Sequence, residues 1–233
     1  NYSDEETPKA FVAEDIPPEI NISGIGDSRY SDANGNKLFT DDIAVTVTIT
    51  DTKSGIREIG YYQTSEIDGF ERRVLEVDGT SVEVDSEIGD GWIVTNKDVN
   101  LVTEITKTFI FDKDNNDITL VFDAMDNSGN VNEIVQSETF TIDKTAPIIN
   151  VDINGGVNNT IYYNAGNRAV ITIDVIERNF DAGLIQASIE NAYNGNIPNI
   201  SFQGLSATEH RAVVTFSEGD YTFDIRGTDL GGH

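Results

Sequence analysis

Two loops carry oxygen side chains at a spacing that suits a divalent cation. Residues 27–37 contain Asp32-Ala-Asn34-Gly-Asn36, and Asp112-Lys-Asp114-Asn-Asn116-Asp117 forms a second acidic run. Ca²⁺ takes about six to eight oxygens from carboxylates, amide carbonyls and water. Asp32, Asn34 and Asn36, and separately Asp112, Asp114 and Asp117, are therefore the candidate ligands. Neither run completes an EF-hand spacing. Asn34-Gly35 and Asn115-Asn116 are also turn sequences, because Asn and Gly tolerate positive φ.

Other chemistry has weaker support. His210 opens a β-patterned run, and no Gly-x-Ser-x-Gly motif, phosphate loop or Gly-x-Gly-x-x-Gly accompanies it. Carboxylates are plentiful enough for a glycosidase-like pair, but nearly every segment is explained by strand alternation and turns, so no catalytic residue is expected. Asp126 and Asp229 each precede a Gly-containing turn, where an Asp accepts backbone N–H groups and closes the turn. Lys37 and Lys107 are candidates for a Lys–Asn cross-link, which would lower the mass by one ammonia. The residues best suited to contact a partner are Phe70, Arg72, Arg73, the single Trp92 and Tyr62, since aromatics and Arg dominate binding hot spots. Trp92 is equally suited to fill a core.

The 233 residues carry 15 Lys+Arg against 41 Asp+Glu, a formal charge of −26. Nucleic-acid and anionic-membrane binding depend on basic groups displacing counterions, so this balance argues against both. With no Cys and two His, disulfides, thiolate metal sites and a His-rich metal site are excluded. No apolar run is long enough to span a bilayer, and no leader peptide is visible. The charge keeps the exposed faces soluble.

Period-two alternation positions all of these residues. In Ile43–Thr50 the odd positions are Ile or Val and the even ones Ala or Thr, a strand with one buried face. Similar runs recur to Ile225, among them 81–84 and 199–202; only 187–193 hints at a helix. A hairpin is expected over 74–84 with its turn at Asp78-Gly79. The chain reads as all-β.

The runs also repeat. Asp117 to Asn130 lines up with Asp220 to His233 at an offset of 103, Val45-x-Val-x-Ile49-x-Asp51 with Ile171-x-Ile-x-Val175-x-Glu177 at 126, and Pro18 with Pro147 at 129. The shrinking offset leaves about 26 extra residues in the first copy, within 65–104. Expected boundaries are 1–14 for a trailing strand of a preceding copy, 15–143 for domain one with the insertion at 65–104, and 144–233 for domain two. Domain two lacks its last strand, so a longer parent with more copies is expected, together with an open edge that residues 10–14 of a neighbour could fill. A short Pro-stiffened junction predicts a tandem rod.

Asp126-x-x-Gly-Asn130, the following Phe-Thr-Ile-Asp143 strand, the Asp-Lys-Thr-Ala-Pro147 junction, Tyr162-Tyr-Asn164, and Glu177-Arg-Asn-Phe-Asp181 together resemble tandem bacterial immunoglobulin-like repeats. Such repeats belong to secreted or wall-anchored proteins of Gram-positive, often gut-dwelling, bacteria. The resemblance covers nearly all of the chain except 65–104, and Thr52-Lys-Ser-Gly55 departs from it. It implies two tandem immunoglobulin-like antiparallel β-sandwich domains in an extracellular, secreted or surface-attached protein without enzymatic activity. The implied partner is a host protein, an immunoglobulin included, or a glycan. The alternatives are spacer repeats that present another domain and a carbohydrate-binding accessory module of a secreted hydrolase. No cofactor is expected apart from Ca²⁺ at the loops above.

Overall fold

The structure is a computed structural model that describes residues 13–154, 166 and 168–233. Tyr162, Tyr163 and Asn164, and most of 10–14, lie outside the described residues.

The first twelve strands are β1 (Glu19–Ser23), β2 (Tyr30–Ser31), β3 (Lys37–Phe39), β4 (Ile43–Thr50), β5 (Ile56–Thr64), β6 (Phe70–Glu76), β7 (Glu87–Gly89), β8 (Trp92–Asp98), β9 (Leu101–Phe111), β10 (Asn115–Asp126), β11 (Val135–Gln136) and β12 (Phe140–Ile142). There follow β13 (Ile148–Ile153), β14 (Val170–Ile176), a 3₁₀ turn at Ala182–Leu184, β15 (Ile185–Asn191), β16 (Gln203–Gly204), β17 (Glu209–Thr215) and β18 (Tyr221–Gly227). The chain is all-β with antiparallel sheets. It divides into two compact units: residues up to Asp27 with Asp42–Phe140, and Ser28–Asp41 with Thr141–His233.

In the first unit one sheet runs β1-β4-β9-β8-β7, and in a second β5 lies between β10 and β6. Val45, Val47 and Ile49 of β4 are fully buried, as their alternation requires. On the opposite face Thr46 meets Thr108 (Oγ1–Oγ1 3.0 Å) and Thr48 meets Thr106 (3.4 Å) across the β4–β9 register. Aromatic rings join the two sheets. Trp92 on β8 and Phe109 on β9 stand edge-on to Phe122 of β10, with ring centroids 6.3 and 5.9 Å apart. Tyr61 of β5 meets Trp92 at 5.6 Å.

The second unit repeats the scheme with a smaller core. Its sheets are β13-β14-β17-β16 and β15-β18, and β2 pairs with β3. Ile171, Ile173 and Val175 are buried with Ala212, Val214, Phe216 and Ile189.

Two expectations about local structure are corrected. Residues 81–84 form no strand: Asp78 takes the amide and hydroxyl of Thr80 (2.9 and 2.7 Å) and bends the chain, and β6 pairs with β5 instead of with a hairpin partner. Residues 199–202 are also not a strand. The stretch nearest to a helical pattern, 187–193, falls in β15 up to Asn191 and a turn beyond it, and β15 pairs along its whole length with β18.

Candidate functional site

Trp92 is 0% exposed, so its reading as a partner contact is corrected: it is the aromatic that seals the core between the sheets. Its ring neighbours are Tyr61, Phe109 and Phe122. Tyr61 donates to Asp90 Oδ2 (2.7 Å), and Arg73 approaches the same carboxylate (3.4 Å) while covering the Phe70 ring at 4.9 Å. Lys107 Nζ lies over Tyr61 and Phe109 and donates to the Asp90 carbonyl. Burial, and then the Asp90 hydrogen bond, push the Tyr61 phenol above its ordinary value, and burial lowers Lys107. Tyr62 is half-buried opposite Val121.

Arg72 forms a two-point ion pair with Asp123 (Nη2–Oδ1 2.6 Å, Nε–Oδ2 3.3 Å) across Gly60. A Cβ on Gly60 would sit 2.2 Å from Arg72 Nη2 and 2.6 Å from Asp123 Oδ1. Gly60→Ala is thus expected to break this pair, and Arg72→Ala should then add nothing further. Because the pair is exposed, a double-mutant cycle by urea denaturation should return a coupling below about 1 kcal/mol.

The two loops read as Ca²⁺ candidates fold differently. Asp32 is buried: its Oδ1 accepts the Asn34 and Asn36 amides (2.9 Å each), and its Oδ2 accepts Asn36 Nδ2 (3.1 Å) and Thr141 Oγ1 (2.7 Å). Both oxygens are committed to a turn and its neighbouring strand. In the other loop Asp112 is exposed, Asp114 and Asp117 are half-buried, and Asp117 has φ +55°.

Among the described residues, acidic ligand atoms gather within 4.8 Å of one another at other places: Glu14, Asp51 and Asp126 in the first unit, and Asp143, Asp229 and His233 in the second. Two members of each cluster are equivalent in the repeat, Glu14 with Asp143 and Asp126 with Asp229, while His233 aligns with Asn130. Glu14 and Asp143 each lie five residues before the first strand of their sheet, β1 and β13, and they share the offset of Pro18 and Pro147. Asp51 directly follows β4, and Glu177 directly follows β14. Asp126 and Asp229 open matching turns. Asp126 takes the amide and side chain of Asn130 (2.8 and 2.7 Å), and Asp229 takes the amide and imidazole of His233 (3.0 and 3.2 Å). The acceptor therefore reaches four residues on, two further than in an Asx turn.

The two clusters are completed differently. Asp51 Oδ1 accepts three successive amides, from Lys53, Ser54 and Gly55 (2.9 to 3.0 Å), with Gly55 at φ +76°. Burial pushes the Asp126 carboxyl up, but the Asn130 side chain and amide outweigh it and hold it below its ordinary value. Glu14 has a side chain only 3% exposed; its Oε1 lies 3.8 Å from Lys53 Nζ, and its Oε2 has no partner. In the second unit Asn179 stands where the first has Lys53. It donates its side chain to Asp143 (2.8 Å) and its amide to Glu177 (2.7 Å). Burial, opposed by the Asn179 amide and reinforced by the charges of Asp143 and Asp229, pushes Glu177 up to about 7.

No family model matches the chain, and no curated protein matches it. Among solved structures, a chain titled "Marsupial T cell receptor" aligns over 91% of this chain and 88% of its own at 10% identity, with a TM-score of 0.21. A likeness that low carries no argument.

Proposed function

We propose that the chain is a non-enzymatic pair of immunoglobulin-like repeats from an extracellular bacterial surface protein, serving as structural spacers that present another part of the parent. The supporting observation is the fate of the copy-specific insertion. Its tryptophan is consumed by the core, and Arg72 and Arg73 are neutralised by Asp123 and Asp90 of the same unit. His210 is likewise engaged, stacked on Phe180 at 4.0 Å with its Nε2 against the Glu177 carbonyl.

A second reading, adhesion to a host protein or glycan, draws on one feature. Strand β6 ends its sheet and shows Val74 half exposed beside Phe70 and the two arginines. An exposed edge of this kind is a site for partners. Deleting 65–104 would not separate the readings, since it removes β8 and Trp92. The double variant Phe70→Ser, Val74→Lys keeps both. Titrating wild type and variant against serum proteins and a glycan array should give no saturable binding in either. Binding to the wild type that the variant loses would replace the spacer reading with the adhesive one.

A further inference from the structure

We propose that Glu14, Asp51 and Asp126 form a Ca²⁺ site at one end of the first unit. Three carboxylates converge there, and among the described residues the cation beside them is Lys53, which is largely exposed and 3.8 Å from Glu14. Like charges at this spacing repel strongly once water is removed, and a bound cation is the ordinary remedy. One oxygen of the cluster's carboxylates is left without a donor. Among the described residues two buried side-chain polar atoms have no partner, and one is Glu14 Oε2, on a carboxylate that reaches this cluster. Asp51 and Asp126 are held rigidly by amide hydrogen bonds, so the site is preorganised.

Donor type selects the ion. The three ligand atoms are all hard carboxylate oxygens, which suit Ca²⁺ and disfavour Zn²⁺, and Mg²⁺ gives up its water reluctantly. The second unit shows the contrast. Asn179 donates to Asp143 where the first unit has only the distant Lys53, whereas His233 caps Asp229 just as Asn130 caps Asp126, so the second cluster is closed by one more donor of its own.

The test is calorimetric titration of the chelator-stripped chain with CaCl₂ and, separately, MgCl₂. One saturable Ca²⁺ per chain is expected, with a dissociation constant in the range of about 10⁻⁴–10⁻³ M typical of extracellular modules. The first unit should also melt higher in Ca²⁺ than in EGTA. Glu14→Gln removes a charge but no structural hydrogen bond, so it should fold and bind at least about tenfold more weakly. Asp112→Asn with Asp114→Asn should bind as wild type. The proposal is overturned if there is no saturable heat and no Ca²⁺-dependent melting shift, if Glu14→Gln binds undiminished, if the Asp112/Asp114 variant loses the site, or if Mg²⁺ binds more tightly than Ca²⁺.

Discussion

Trp92→Ala is expected to destabilise the first unit by about 3–5 kcal/mol, a large part of the roughly 5–15 kcal/mol that holds a domain folded. The indole is 0% exposed on β8, and its edge-on neighbours Tyr61 and Phe122 belong to the facing sheet. Truncation therefore opens a cavity between layers, where neither sheet can collapse without moving the other. Trp92→Phe retains a ring against Tyr61, Phe109 and Phe122 and should lose less than half as much. The second unit contains none of these contacts and should unfold unchanged. Far-UV circular dichroism in urea reads both, since the substitution removes the fluorescent probe. A loss below about 1 kcal/mol would mean that the ring is dispensable to packing and would return it to the list of contact residues.

How much of this was legible in the sequence depended on whether the controlling interaction was local. Strand β4 was readable because burial of Val45, Val47 and Ile49 and solvation of Thr46 and Thr48 are both written into a period of two. Val82 and Val84 alternate just as well, yet form no strand, because Asp78 captures Thr80 and Lys97 reaches across to the Val82 carbonyl. Asp85, Asp90, Gly89 and Gly91 all take positive φ nearby, which bends 85–91 into short β7 and its turn. The stretch nearest to a helical pattern, 187–193, was settled by pairing with a strand more than thirty residues away.

The acidic loops were visible for the opposite reason. Their oxygens are close in sequence, and that closeness let Asp32 satisfy itself within a turn. Glu14, Asp51 and Asp126 are far apart in the chain, and no window contains two of them. The signal that could have found them was the repeat: the offset joining Pro18 to Pro147 also joins Glu14 to Asp143, and those joining the strands carry Asp51 to Glu177 and Asp126 to Asp229. Asp51 and Asp126 close turns at the ends of β4 and β10, but an acidic residue at the Glu14 position, five residues before the first strand in both copies, is not explained by turn chemistry.

The second unit should lose stability as the solution is made alkaline, and Glu177→Gln should abolish the loss. Glu177 is 6% exposed, directly after β14, facing the carboxylates of Asp143 and Asp229, with its carbonyl against His210. Its carboxyl titrates near 7 in the folded unit against an ordinary value of 4.5. Between those values the folded state holds the proton and the unfolded state releases it, so stability falls as pH rises through this window and levels off above it. The shift sets an upper bound of about 3 kcal/mol on the loss, since water reaching the group would weaken it. Glutamine keeps an oxygen for the Asn179 amide and carries no charge, so the variant should match wild type near pH 4.5 and exceed it at pH 8. Amide hydrogen exchange in β14 follows the second unit at each pH. An unchanged pH slope in the variant would show that Glu177 does not hold the proton released in this window.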